Sequence, residues 1–537
     1  MTERQPLSAG YGAMVTVLLA LATYLLALHN GFAFDDAVLI PRDARVTNGE
    51  LGALITTSYW KDAAMALYRP LTSLTFGLDW AAADGSAAWF HFTNVLWHML
   101  ASVLVYVLLL RYFEVGAALL GGALFAVHPV HVEAVANVVG RAELIAATLV
   151  LAGCVAWPRI SNGAARAVIV PVIYFLALCA KESAAVLPAL LVLVDFTEGE
   201  WSFNSIRDYL RRRSPALLAL VAAFVIFMVA RTMVLGTLTP ARLDPSIEVT
   251  GNAWHRVLTA LQAWPIALRL MLFPWTLLAD YGPQILMPIA EWNSLAVLGA
   301  TMLIGLLGGG LIALAYGYRV AALALLWYPI TILPVSNFLL PICVLLGERT
   351  LYLPSVAAAF AAAALFTWAL RRPEALKFVK VAGAVVIFLF AVRSMIRVPE
   401  WQSTGSILFA LVRDRPDAFR GQWHVARDHR QNGRIESALA NYDEAVRLWP
   451  YREGLVQEAA TYASSQGRAV YARDLALFGA RRWPRNVVFH RLAAANALDV
   501  GDTATARTVL INALQQHPRD TLLNQMWRAA APAAQPR

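Results

Sequence analysis

The 537-residue chain is 59% apolar and only 15% charged, with a mean hydropathy of +0.56, which excludes an ordinary water-soluble globular protein and makes lipid the main solvent. Its 44 Lys and Arg against 35 Asp and Glu leave a formal charge of +9, but many of the basic residues sit in short loops between apolar runs, so membrane topology explains the excess better than nucleic acid, and no nucleic-acid partner is expected. The three cysteines, Cys154, Cys179 and Cys343, have neither metal-ligand spacing nor a disulfide framework and read as packing residues.

Apolar runs of span length fall near 11–29, 92–110, 115–136, 141–157, 167–180, 182–197, 215–235, 292–315, 320–338, 350–370 and 378–398, about eleven crossings by the length rule. The first run follows Arg4 and reads as a retained anchor rather than a cleaved leader. Connections holding Arg111, Arg159 with Arg166, Arg207 with Arg211 to Arg213, Arg319, and Arg371 and Arg372 with Lys377 and Lys380 alternate with poorly basic ones. The positive-inside rule assigns those five connections to the cytoplasm. Segment 255–275 contains His255, Arg256, Pro265 and Arg269 and reads as an amphipathic interfacial helix, because a crossing there would reverse every later loop. Loops 30–90, 236–291 and 336–349 and the polar segment 399–537 then share the non-cytoplasmic side.

Those outer loops concentrate ionisable groups. Phe32-Ala33-Phe34-Asp35-Asp36 follows the first span, and two carboxylates so near hydrocarbon require water or a role. Tyr68-Arg69-Pro70-Leu71-Thr72 comes next, then His91, Asn94 and His98 at helical spacing, His128-Pro129-Val130-His131-Val132-Glu133, Gly140-Arg141-Ala142-Glu143, Lys181-Glu182 and Gly347-Glu348-Arg349. Each also has a structural reading, as a solvated span boundary, an ion pair holding helices together or an interfacial hydrogen bonder. Their gathering on one side favours a site.

Beyond residue 410 the chain repeats every 34 residues: Gly433, Gly467 and Gly501; Ala438, Ala472 and Ala506; Pro416, Pro450, Pro484 and Pro518. Gly turns the chain, small residues let helices approach and Pro ends the second helix of each pair. Over about three repeats this resembles the tetratricopeptide (TPR) family, which implies a surface that recognises peptides or proteins; a spacer without ligand is the alternative.

The order of these pieces, with Leu272-Phe273-Pro274-Trp275 and Asp280, Ser336-Asn337, and Glu348-Arg349-Thr350-Leu351-Tyr352-Leu353-Pro354-Ser355, resembles the transmembrane O-mannosyltransferases that target cadherins, TPR-bearing members of the GT-C glycosyltransferase superfamily. Two departures are Tyr281, where the family often has Trp, and the small number of repeats. The resemblance implies an all-α, polytopic GT-C bundle over 1–398 and an extracytoplasmic TPR α-solenoid over 399–537. It further implies inverting transfer of mannose or a similar hexose from a polyprenyl- or dolichyl-phosphate donor to Ser or Thr of an exported protein engaged by the repeats.

On that reading Asp35 is the general base and Asp36 positions acceptor or sugar, the exchange of these two roles being the alternative. Arg69, Arg141 and Arg349 meet the departing phosphate, His128, His131 and Glu133 shape the site, and Lys181, Glu182, Asp280 and Glu348 complete the donor-binding set. No cofactor or metal is expected, because a guanidinium can balance a monophosphate leaving group; His128, His131 and Glu133 are the alternative metal ligands. The competing function is a non-enzymatic transport or assembly component for a lipid-linked saccharide. Ala and Arg richness favours a bacterial inner membrane, with active site and repeats in the periplasm.

Overall fold

The computed structural model describes residues 8–60, 67–199, 205–237, 252–339, 342 and 344–530; Arg4 and Cys343 lie outside them. All regular structure among the described residues is helical. Among the described residues seven helices are long and apolar enough to cross a membrane: Ala9–His29, Ala87–Leu109, Val138–Ala156, Gly163–Ala180, Ile206–Leu235, Ser294–Ala315 and Pro373–Gln402. An eighth is added if Val115–Ala126 and Pro129–Ala136, bent by 44°, count as one broken span. These seven or eight helices of span length stand against about eleven expected crossings.

The remaining expected spans are helices of reduced length. Arg319–Val335 and Val356–Ala369 are short and apolar, and 182–197 divides into a 3-10 turn, Glu182–Val186, and an α-helix, Leu187–Thr197. Irregular backbone at such depth is tolerated when protein surrounds it, and here Ala184, Val186, Leu187, Leu190 and Leu191 are buried. Segment 255–275 forms one helix, Ala253–Leu272, which does not meet the length and hydropathy test for a span.

Two compact units are separated between Ile407 and Leu408, with Gly282–Ile285 belonging to the second. In the first unit, glycines bring helices to backbone contact: a Cβ on Gly121 would lie 2.5 Å from the Ala359 carbonyl oxygen, and one on Gly299 would lie 1.9 Å from that of Leu261. Cys154 and Cys179 are free and buried.

The features that position the candidate site lie where the first and last spans end. Asn30 Nδ2 donates to Val398 O at 3.0 Å, Gly31 N to Gln402 O at 3.0 Å and Phe34 N to Thr404 Oγ1 at 2.8 Å. Over this clasp sits a cap of short helices, Asp36–Leu39, Ala44–Thr47, Leu51–Thr56 and Pro70–Ala83. Its core of Leu39, Ile40, Val46, Leu54, Tyr59 and Phe76 packs with Phe90, Val138 and Val139 from the bundle.

In the second unit the helices Phe419–Gln431, Glu453–Ser465, Val487–Asp499 and Thr521–Ala530 alternate with Ile435–Leu448, Ala469–Arg482 and Thr503–Gln516. Gly433, Gly467 and Gly501 turn each pair with φ of +69°, +70° and +77°, a region that an L side chain resists. Ala438, Tyr442, Ala445, Ala459 and Ala476 are buried between them.

Candidate active site

Asp35 and Asp36 leave the first span on a strained turn. Phe34 has φ +55°, a left-handed conformation costly for a side chain with a Cβ, and the clasp to Thr404 holds it. The two carboxylates diverge. Asp36 is fully buried and accepts from Val138 N at 2.9 Å, Val139 N at 2.7 Å and Ala33 N at 3.4 Å. Burial pushes its pKa up to about 7 against the pull of those three amides, with the Asp35 charge adding to the rise. Asp35 is half-buried, and its charge helps to hold Arg349 as a cation.

Three ion pairs gather around this turn. Arg69 Nε lies 3.1 Å from Glu182 Oε2, with its guanidinium over the Tyr59 ring at 5.3 Å. Lys181 Nζ lies 2.6 Å from Glu143 Oε1. Glu133 takes both Arg349 Nη1 and Arg349 N, each at 2.9 Å. Burial depresses the Arg69 pKa, but Glu182 and Tyr59 outweigh it and raise it; burial prevails at Lys181, whose pKa is lowered despite Glu143 and is lowered further by Arg69 and Arg349. Arg231, on the span Ile206–Leu235, also acts on Glu182, whose pKa falls because Arg69 and Arg231 overcome its burial.

The other candidates serve neighbouring positions. Glu348 is fully buried and accepts from Leu278 N at 2.5 Å and Tyr281 OH at 2.8 Å, tying the segment that carries half-buried Asp280 to the turn that carries Arg349. Burial raises its pKa to about 7, opposed by Arg397. His128 Nε2 donates to Met271 O at 2.8 Å and His131 bonds Ser355 Oγ at 2.8 Å. With His98, whose Nδ1 is 2.7 Å from Tyr352 OH, they form a buried layer in which His131 faces Tyr352 at 4.5 Å between ring centroids.

Arg141 is tied to the cap, where Asp36 and Tyr59 still act on its charge. Its donors go to Asn94 Oδ1 at 2.8 Å, Phe90 O at 2.8 Å, Asp79 and Thr93, between the rings of Phe76 and Phe90. The geometry therefore brings Asp35, Arg69, Glu133, Lys181, Glu182 and Arg349 together, sets Asp36, Glu348, His128 and His131 behind them as supports, and gives Arg141 to the cap. Glu143, Tyr59 and Arg231 join the cluster without having been singled out as site residues. Arg231 had a readable signal, an arginine inside a span; Tyr59 had none.

Among the described residues no three His, Cys, Asp or Glu side chains are grouped as metal ligands. No protein-family model matches the chain. A protein O-mannosyl-transferase of Caenorhabditis elegans is 25% identical over 82% of this chain and 63% of its own length. Protein O-mannosyl-transferase TMTC3 of Mus musculus is 24% identical over 80% and 50%, and TMTC4 of Homo sapiens 26% identical over 80% and 66%. The chain thus spans between half and two thirds of the length of these relatives. In the order of its motifs and along four-fifths of its length, this protein resembles the transmembrane protein O-mannosyl-transferases.

Proposed function

We propose that this chain is an inverting glycosyltransferase that moves mannose or a similar hexose from a polyprenyl- or dolichyl-phosphate donor to a Ser or Thr hydroxyl of a protein acceptor. The observation that carries this reading is the half-buried Asp35 carboxylate on a strained turn, whose charge acts on Arg349, in a cluster where Arg69 and Arg349 both act on Lys181. The similarity to protein O-mannosyl-transferases supports the reaction class.

Asp35 takes the acceptor hydroxyl proton as that oxygen attacks the anomeric carbon. The bond from the anomeric carbon to the phosphate oxygen breaks, and its electron pair leaves with the lipid phosphate. Glu133 occupies one guanidinium nitrogen of Arg349, and the rest of the fork, with Arg69 and Lys181, is offered to the phosphate. Asp36 supports this step by holding the Val138–Val139 turn beneath Asp35. The site and the repeats are extracytoplasmic in this scheme, in a bacterial inner membrane, and no metal takes part.

Asp35→Asn should keep expression and membrane insertion and lower sugar transfer by about two orders of magnitude or more, the scale of a general base; near-normal turnover removes Asp35 from the mechanism. Incubation with lipid-linked sugar separates transfer from transport, since a transport component leaves the sugar–phosphate bond intact. Complete, metal-reversible loss of transfer in chelator would overturn the metal-free scheme, and maleimide labelling of a cysteine at position 35 from the cytosol would overturn the orientation.

A further inference from the structure

Among apolar side chains exposed outside the candidate spans, Leu272, Phe273 and Trp275 are 52%, 72% and 74% exposed. Local chemistry puts them there. Phe273 N donates to Arg269 O at 2.7 Å, ending the helix, and Trp275 N donates to Phe273 O at 2.8 Å, closing a three-residue turn around Pro274. The side chains on either side of that proline point outward, while Leu277 and Leu278 return to the core.

The hook is fixed at three points. Met271 O accepts from His128, Leu278 N donates to Glu348, and Arg393 Nε donates to Trp275 O at 3.0 Å. Arg393 lies on the candidate span Pro373–Gln402, beside exposed Met395 and Ile396, so Trp275 is tied to a helix whose neighbouring apolar side chains are open. Trp275 and Leu278 are three residues apart, at most about 10 Å of chain, and the Glu348 side chain that Leu278 meets belongs to the neighbour of Arg349. Trp275 is thus tied, through Leu278 and the buried Glu348, to the turn that carries Arg349.

We propose that the Phe273–Trp275 hook is the binding surface for the isoprenoid chain of the lipid-linked donor, holding the isoprene units next to the phosphate. This rests on the glycosyltransferase reading above. The branched, unsaturated chain suits two aromatic faces, and a phosphate at Arg349 places those units within reach of the hook; an acyl lipid without that anchor has no reason to dwell there.

The test uses the full chain in nanodiscs and a polyprenyl phosphate carrying a diazirine near its head. Crosslinks should map to residues 272–275 and be competed by unlabelled polyprenyl phosphate but not by phosphatidate. Crosslinks elsewhere, or equal competition by phosphatidate, overturn the proposal and leave the hook a bulk-lipid anchor. Kinetically, F273A/W275A should raise KM for a long-chain mannosyl phosphate donor about tenfold, with a much smaller rise for a donor of one isoprene unit; equal rises for both also overturn it. Both side chains are exposed, so the substitution leaves the core intact, and Phe273→Leu with Trp275→Leu should recover part of the loss. Absence of sugar transfer by the unaltered protein would sink the glycosyltransferase reading, whereas the crosslinking readout tests the hook independently.

Discussion

Asp36 shows what a buried carboxylate does when its partners are backbone amides. Removing it in Asp36→Ala orphans the Val138 and Val139 N–H groups, each costing roughly 1–3 kcal/mol when left unsatisfied, so the variant should unfold at markedly lower temperature. The pH dependence has a definite sign. Asp36 rises from 3.8 to about 7 and Glu348 from 4.5 to about 7 on burial, so between those limits the folded state binds more protons than the unfolded chain. Their contribution makes stability fall as pH rises from about 4 to about 7, and thermal melts in detergent should show a shallower decline for Asp36→Asn. Arg141 offers a second check at this scale: Arg141→Lys keeps the charge but cannot reproduce the planar fork that reaches Asn94, Asp79, Phe90 and Thr93, so it should lower the melting temperature and leave a KM for donor near normal in the surviving folded fraction.

At the scale of helices, close approach is the vulnerable feature. Gly299→Ala would drive a Cβ into the Leu261 carbonyl, so helices Ala253–Leu272 and Ser294–Ala315 must move apart; loss of folded yield on size-exclusion chromatography is expected, while Gly305→Ala, with nothing within 4 Å, serves as the tolerated control. The repeats were the most legible part of the sequence because turn chemistry recurs at fixed spacing: helix starts at 419, 453, 487 and 521 keep the 34-residue period that Gly433, Gly467 and Gly501 announce. Segment 182–197 is apolar enough to be expected as a span, and the structure divides it into a 3-10 turn and a helix, with Lys181 paired to Glu143 and Glu182 to Arg69. Site residues carried in motifs were legible as residue types. Which cation meets which acid was not, since Arg69 and Glu182 are 113 positions apart and their pairing is a property of packing.

For the whole molecule, the clasp decides where the chain can be cut. Gln402 and Thr404 hold Gly31 and Phe34 and belong with the first unit, so truncation after residue 407 should retain sugar transfer to a small hydroxyl acceptor while weakening use of a protein acceptor. Truncation after residue 398 should lose both, because the Asp35 turn then loses its bonds to Gln402 and Thr404. Comparing the two truncations with a small hydroxyl acceptor and with a protein acceptor measures the difference; equal activities would leave the clasp without a role.

The same fastening has a consequence for biosynthesis. A polypeptide emerging from the ribosome makes Phe34 370 residues before its partner Thr404, so this hydrogen bond forms only late in synthesis. Maturation of the acidic corner is therefore a terminal event, coupled to completion of the membrane-embedded part, and a stalled nascent chain would carry its carboxylates without ever arming them.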